Sequence, residues 1–414
     1  MKTGLHIQDW VTGAEDYVMA AKPPLIKVMV NDIEPLKRYK EEVGGFVAVR
    51  AHFSAIGLPG EPTFDRPEEQ GDAWAEALLP WLEPIRPYTD LVILSNESGQ
   101  GNARGTDSII GRHAVFDGVA TLNLHREGYK VGGGAFSVGN PPGTGEGLRA
   151  NWNQYGAALD YIDVLVLHEY GAPSMMVEAD QTWRCLRFQR VIDILDSLEA
   201  RKVPILIGEC GIDWGVLGHP LTGWRGHGDY GISSTTPQDY IAQLQWYNQH
   251  LEAEPRILGA TIFNVGYQDW QSFEVRGLAE LKDWMAEASK VPTNIVIPPT
   301  IIPFRAPAET PANSPADQHY RLGAGSRDWV ASLPNLTGAP LEDEGYHHDD
   351  PMDPREISFT RTEQGTMTWF KKTGAQFYYH EDSDTLYRKS RHTGAFEKPT
   401  GWESLRPGGL EAGE

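Results

Sequence analysis

Cysteine is nearly absent from this 414-residue chain. Cys185 and Cys210 are the only two, and neither stands in a CxxC or any other metal-ligand spacing, so neither a disulfide framework nor a zinc site is expected. Packing has to hold the fold together, and a chain of this length can bury a sizeable core. Positive charge is also in deficit. Thirty-six Lys and Arg stand against 57 Asp and Glu, a formal net charge of -21 that opposes binding to phosphate backbones or anionic bilayers, so nucleic acid and membrane are not expected partners. No apolar run approaches a membrane span, and the N-terminal "MKTGLHIQDW" lacks the apolar stretch of a cleavable leader. The expected location is the cytosol, or outside the cell by a non-classical or phage-lysis route. Two phosphate-binding signatures are missing as well. No GxGxxG opens a helix after the first strand-like run, and the glycine-rich "VGGGAFSVGNPPGTGEG" lacks the GK[ST] ending of a P-loop.

What is present is a rhythm. Eight short apolar, β-branched runs occur near residues 3, 25, 45, 91, 129, 163, 203 and 258, close to continuous rather than alternating, as suits parallel strands covered on both faces. Segments with helical spacing lie between them. "RVIDILDSLEARKV" carries Val191, Ile194, Leu195 and Leu198 on one stripe, and Thr236 with Pro237 gives an N-cap and first helical residue to "TTPQDYIAQLQWYNQHLEAE". "WAEALLPWLEPI" and "LRANWNQYGAALDYI" are further helices, the first kinked or ended by its proline. Strand then helix, about eight times over residues 1–290, predicts a (β/α)8 TIM barrel, with a doubly wound sheet as the competitor. From residue 291 to about 316 the chain is Pro-rich and reads as an extended linker, and residues 317–414 read as a small β-rich accessory module of hairpins.

Barrel strands aim their C-terminal ends at the active-site face, so strand ends are where catalytic groups belong. The fourth run ends "LVILSNE" in Asn96-Glu97, the sixth, "VLVLHEY", in His168-Glu169-Tyr170, and the seventh, "VPILIGEC", in Glu209. Two carboxylates across a barrel mouth can stand about 5 Å apart, the separation that retaining glycosidases use. One must be held protonated to donate to a leaving oxygen, and the other ionised to attack the sugar carbon. Glu169, between His168 and Tyr170, should face the opposite side of its strand.

On these residues, residues 1–290 resemble the clan A glycoside hydrolases, the superfamily that contains the cellulase-like families. The resemblance implies Glu97 as general acid/base, Glu209 as nucleophile, Asn96 on the sugar 2-hydroxyl, Tyr170 holding Glu209, and His168 lining the cleft beside Glu97. It implies a retaining double displacement on a β-linked poly- or oligosaccharide, with no metal and no organic cofactor. Members of the clan usually carry an arginine near the nucleophile and a tryptophan at the end of the eighth strand. Arg50 in "VAVRAHF" is the candidate for the first. The eighth run, "TIFNVGYQDWQSF", has Asn264 at the expected place of the second, so Trp270 or Trp214 is left as the sugar platform, with Trp224 and Trp246 as others.

Competing expectations stay open. The barrel can be a catalytically idle glycan-binding or structural attachment protein, possessing the site without turnover, or a cell-wall-lytic enzyme carried by a phage. The C-terminal module can bind a glycan, a cell surface or a protein. "YHHDDPMD", residues 346–353, holds metal-competent side chains but reads as a solvated loop.

Overall fold

The computed structural model describes residues 1–98, 109–266, 268–290 and 295–298, together with the backbone of six C-terminal strands. The chain divides into two compact units, Met1–Thr300 and Ile301–Glu414. In the first, eight strands alternate with helices: β1 (Thr3–Ile7), α1 (Ala14–Ala21), β2 (Leu25–Val28), α2 (Ile33–Glu42), β3 (Phe46–Val49), α3 (Pro67–Leu82), β4 (Leu91–Ile93), α4 (Ile109–Arg126), β5 (Val131–Phe136), α5 (Gly145–Leu159), β6 (Val164–Gly171), α6 (Arg187–Ser197), β7 (Ile205–Ile212), α7 (Pro237–Ala253), β8 (Ile257–Val265) and α8 (Ala279–Ala288). The strands pair in chain order, all parallel, and β8 closes on β1, so the sheet is a closed (β/α)8 barrel. Each of the eight apolar runs forms one strand.

Thr236 caps α7 as its hydroxyl accepts from the Asp239 N–H at 3.1 Å, with Pro237 at the first helical position. In α3 the helix runs two residues past the proline before its geometry changes. Pro80 lies inside, and the chain continues as a 3-10 turn over Glu83–Tyr88.

Strand alternation sorts side chains into two compartments. Leu25, Phe46, Ala48, Leu91, Ile93, Val164, Val166 and Leu206 pack together as a strand-only cluster inside the barrel. Their neighbours Ile26, Val28, Val47, Val49, Val92, Leu165, Leu167, Ile205 and Ile207 pack outward with the helices. The inner stack fills the lower barrel. Residues later on the same strands, at the same parity, face the mouth.

The second unit carries six antiparallel strands in the order β14-β13-β12-β11-β10-β9, with β9 Gly345–Tyr346, β10 Ile357–Thr362, β11 Gly365–Phe370, β12 Ala375–His380, β13 Thr385–Lys389 and β14 Phe396–Glu397. Most of the Pro-rich segment 291–316, and residues 347–353 of "YHHDDPMD", lie outside the described residues. Among the described residues no helix is long and apolar enough to cross a membrane.

Candidate active site

Parity places the first members of the site. In β6, Val164 and Val166 point inward, so His168 and Tyr170 do too, and Glu169 points outward. There Glu169 Oε1 accepts from the Phe188 N–H and Oε2 from the Tyr247 hydroxyl, both at 2.6 Å.

In β7 the parity breaks. Leu206 points inward, so plain alternation would send Gly208 and Cys210 inward and Glu209 outward. The pairing of β6 with β7 shifts between Leu167/Ile207 and His168/Glu209, leaving Gly208 as an extra residue. This bulge turns Glu209 to the mouth and Cys210 into the outer core. Gly208 fits because a Cβ there would meet Val166 Cγ1 at 2.9 Å.

Glu209 is 7% exposed and each of its oxygens is engaged. Lys27 Nζ donates to Oε1 at 2.9 Å, with His6 Nδ1 at 3.6 Å from the same oxygen. The Tyr170 hydroxyl donates to Oε2 at 2.8 Å, with His168 Nδ1 at 3.4 Å. Burial alone raises a carboxyl's pKa, but here the fields of His168, Lys27 and Arg50 outweigh it and hold Glu209 well below the usual carboxylate range. The group stays ionised. Lys27 is itself fully buried, and desolvation lowers its ammonium to about 8 against the pull of Glu209. Burial also lowers His6 well below its ordinary value, and Lys27 adds to that, so the imidazole is neutral.

Glu97 follows β4 and its side chain is 34% exposed, open to the mouth where Glu209 is not. Its backbone is left-handed, φ +50°, a conformation that costs a non-glycine residue free energy and that the surroundings must hold. Glu61 does much of the holding. One of its oxygens accepts from the Asn96 N–H at 3.2 Å and the Ser98 hydroxyl at 2.9 Å, and the other lies 3.6 Å from the Arg50 guanidinium. The Glu97 N–H in turn reaches the Ala135 carbonyl at 3.1 Å, where β5 bulges through Gly134 and Ala135. His168 Nδ1 meets Glu97 Oε1 at 2.7 Å, a contact in which either partner can carry the shared proton. Carboxylate oxygens of Glu97 and Glu209 and a ring nitrogen of His168 all lie within 4.8 Å of one another.

The remaining sequence candidates are placed unevenly. Asn96 sits beside Glu97 with its Oδ1 buried and without a hydrogen-bond partner among the described residues. Arg50 is buried below the mouth on the inward side of β3, but its ion pair is with Glu61. Direct contact with Glu209 falls to Lys27. Trp270 packs edge-on against Phe263 and Phe273, at 5.6 Å from each, in a cluster with Tyr170. Trp214 packs against the outer core and edge-on to His219. Of the other tryptophans, Trp224 is buried and stacks on Tyr240, and Trp246 packs on the outer core. β8 itself carries an aromatic, Phe263, one residue before Asn264. It is 6% exposed, 5.1 Å from His6 and 6.3 Å from Tyr170 between ring centres, and its peptide to Asn264 is cis.

Sequence reasoning missed Lys27, His6, Glu61 and Trp183. The first two had a signal, a Lys and a His inside apolar runs at the parity of the inner stack. Glu61 and Trp183 lie in connecting segments, Trp183 at the end of the 3-10 turn Glu178–Trp183, where no periodicity marks them.

A cavity of about 350 Å3 opens beside Glu97. Glu97, Val138, Tyr170, Trp183, Asp213 and Val216 are among its lining residues. Glu97, His168 and Glu209 also have the spacing of a metal-ligand set. The chemistry of the donor set fits an ion poorly, since Lys27 already neutralises Glu209 at contact distance and Arg50 adds a second positive charge nearby.

No protein-family model and no curated protein matches the chain. Several solved structures do, and they are glycoside hydrolases. The chain is 12% identical to a β-glucuronidase of Bifidobacterium dentium, covering 70% of this chain and 46% of that one with a TM-score of 0.43. It thus spans about half the length of that protein. A GH128 (subgroup II) endo-β-1,3-glucanase of Sorangium cellulosum is 15% identical over 70% of this chain and 98% of its own, TM-score 0.44. The corresponding subgroup I enzyme of Amycolatopsis mediterranei, in complex with laminarihexaose, is 11% identical over 69% and 98%, TM-score 0.43. At TM-scores this low the likeness carries no argument about activity, which rests on the side chains.

Proposed function

We propose that the protein is a retaining β-glycoside hydrolase, with Glu209 as nucleophile and Glu97 as general acid/base. The observation that carries this is the carboxylate spacing. Oxygens of Glu97 and Glu209 within 4.8 Å of each other fit a retaining pair, whose carboxyl groups stand roughly 5 Å apart, better than an inverting pair, whose groups stand about 6.5 to 9.5 Å apart to admit a water. The unequal surroundings suit unequal roles. Glu209 is buried among positive groups that keep it ionised, and Glu97 faces the open mouth.

In the first step a Glu209 oxygen attacks the anomeric carbon, the bond to the leaving oxygen breaks, and that oxygen takes its electron pair and the proton from Glu97. In the second, Glu97 as carboxylate removes a proton from water, the water oxygen attacks the anomeric carbon, and Glu209 leaves as carboxylate. Asn96 is the candidate partner of the sugar 2-hydroxyl, and Tyr170 and Lys27 hold Glu209 in line.

A panel of aryl β-glycosides (glucoside, glucuronide, galactoside, N-acetylglucosaminide), β-1,3- and β-1,4-glucans and bacterial cell walls tests this. Wild type should release sugar, and Glu97→Gln and Glu209→Gln should each lose most of the activity, with azide restoring turnover of an activated aryl glycoside in a Glu97→Ala protein. Saturable glycan binding with no turnover, unchanged in both variants, would instead identify an idle glycan-binding barrel.

A further inference from the structure

Glu97 and Glu209 do not share the cavity equally. Glu97 lines it, along with walls from the segments after β5, β6 and β7, and Glu209 is not among its described lining residues. In a double displacement the departing group lies on the side of the acid/base, because that residue must reach the leaving oxygen, whereas the sugar that is attacked lies over the nucleophile. A hollow lined by the acid/base lies where the leaving group must be, and Tyr170, which holds Glu209, marks the edge at which it meets the sugar that is attacked.

We propose that this cavity is the leaving-group subsite, that it takes a sugar ring, and that Trp183 is its platform. The proposal rests on the assignment of Glu97 and Glu209 made above. Trp183 is the one tryptophan among the described lining residues. It lies in the segment between β6 and α6, half-buried, with the Arg190 guanidinium 3.7 Å above its ring centre fixing the ring. Neither Trp214 nor Trp270 lines the cavity.

The other walls select for hydroxyls. Asp213 presents a carboxylate whose Oδ1 is held by the Gly215 and Thr222 N–H groups at 2.8 and 3.2 Å. Ser137, whose hydroxyl accepts from Asn140 Nδ2 at 2.9 Å, and Arg184 stand beside it. An aromatic plane flanked by a fixed acceptor, a hydroxyl and a guanidinium matches the apolar face and polar rim of a pyranose better than it matches an apolar aglycone. A volume of about 350 Å3 is in the range of small-ligand sites, which begin at about 300 Å3.

The test compares two substrates with the same glycosyl group, on the sugar that the aryl panel identifies: its β-glycosyl fluoride and its β-linked disaccharide. Fluoride leaves without occupying a ring-sized subsite. For Trp183→Ala, kcat/KM on the disaccharide should fall about tenfold, the scale of one lost aromatic stacking contact, while hydrolysis of the fluoride stays within about twofold. Trp183→Phe should recover part of the loss. Equal losses on both substrates, or no loss on the disaccharide, would overturn the subsite assignment. Wild type and Glu209→Gln behaving alike on the fluoride would instead defeat the nucleophile assignment, and the subsite would fall with it.

Discussion

Two buried glutamates sit one strand apart and are held in opposite charge states. Glu209 on β7 faces the barrel mouth, among Lys27, His168, His6 and Arg50, and stays ionised far below the usual range. Glu169 on β6 faces the helices, where desolvation lifts it to about 8 despite the Tyr247 hydroxyl, Arg187 and the Phe188 N–H. Both are buried carboxyls with good hydrogen bonds, so burial and hydrogen bonding do not distinguish them. What differs is the count of positive groups converging on the oxygens, and an inward-facing Lys27 supplies the one at contact distance. A carboxylate kept ionised at such desolvation cost is poised to act as an anion, and one kept neutral is a structural tie between β6, α6 and α7.

The comparison can be broken most strongly at Glu209. Glu209→Gln should lower kcat on the order of a thousandfold or more, measured on the best substrate of the panel, while Glu169→Gln leaves kcat near wild type. Lys27→Met comes next. It removes the charge that contacts Glu209, so kcat/KM should fall on the order of ten- to a hundredfold, and the acidic limb of its pH profile should move to higher pH as the Glu209 pKa rises. Lys27→Arg sharpens the same point. Lys27 loses its proton near pH 8, whereas a guanidinium keeps its charge, so the alkaline decline in kcat/KM should shift upward in that variant. Tyr170→Phe deletes one 2.8 Å hydrogen bond to Glu209 and should cost about tenfold in kcat/KM.

The smallest effect is on stability at Glu169. Its folded pKa of about 8 lies above the ordinary 4.5, so between those values the folded chain holds a proton that the unfolded chain releases, and stability is lost as pH rises through that window. His6, neutral when folded, has the opposite slope below its ordinary 6.5, which leaves pH 6.5 to 8 as the clean interval. There Glu169→Gln should flatten the decline of unfolding free energy by up to about 1.4 kcal/mol per pH unit, read by urea denaturation at several pH values.

The barrel was legible because its strands are near-continuous apolar runs that alternate with helical segments, and parity within β6 is enough to separate Val164, Val166, His168 and Tyr170 from Leu165, Leu167 and Glu169. The same parity marks Lys27 two residues after Leu25, yet a lysine in an apolar run is easily passed over as an interruption. Glu209 points inward only because Gly208 is an extra residue in the ladder, and alternation read straight along β7 would turn it outward. At the end of β8 the register with β1 also shifts, from His6/Phe263 to Ile7/Val265, which leaves Asn264 as an extra residue in the ladder. Bulges depend on the neighbouring strand, and a single sequence does not carry them. Glu61 and Trp183 come from connecting segments, which no periodicity organises.

The central claim is that Glu209 attacks the sugar directly. The most direct measurement is the anomeric configuration of the first-formed product, followed by proton NMR before mutarotation. The β-anomer from a β-glycoside is the predicted result, and the α-anomer would contradict the account.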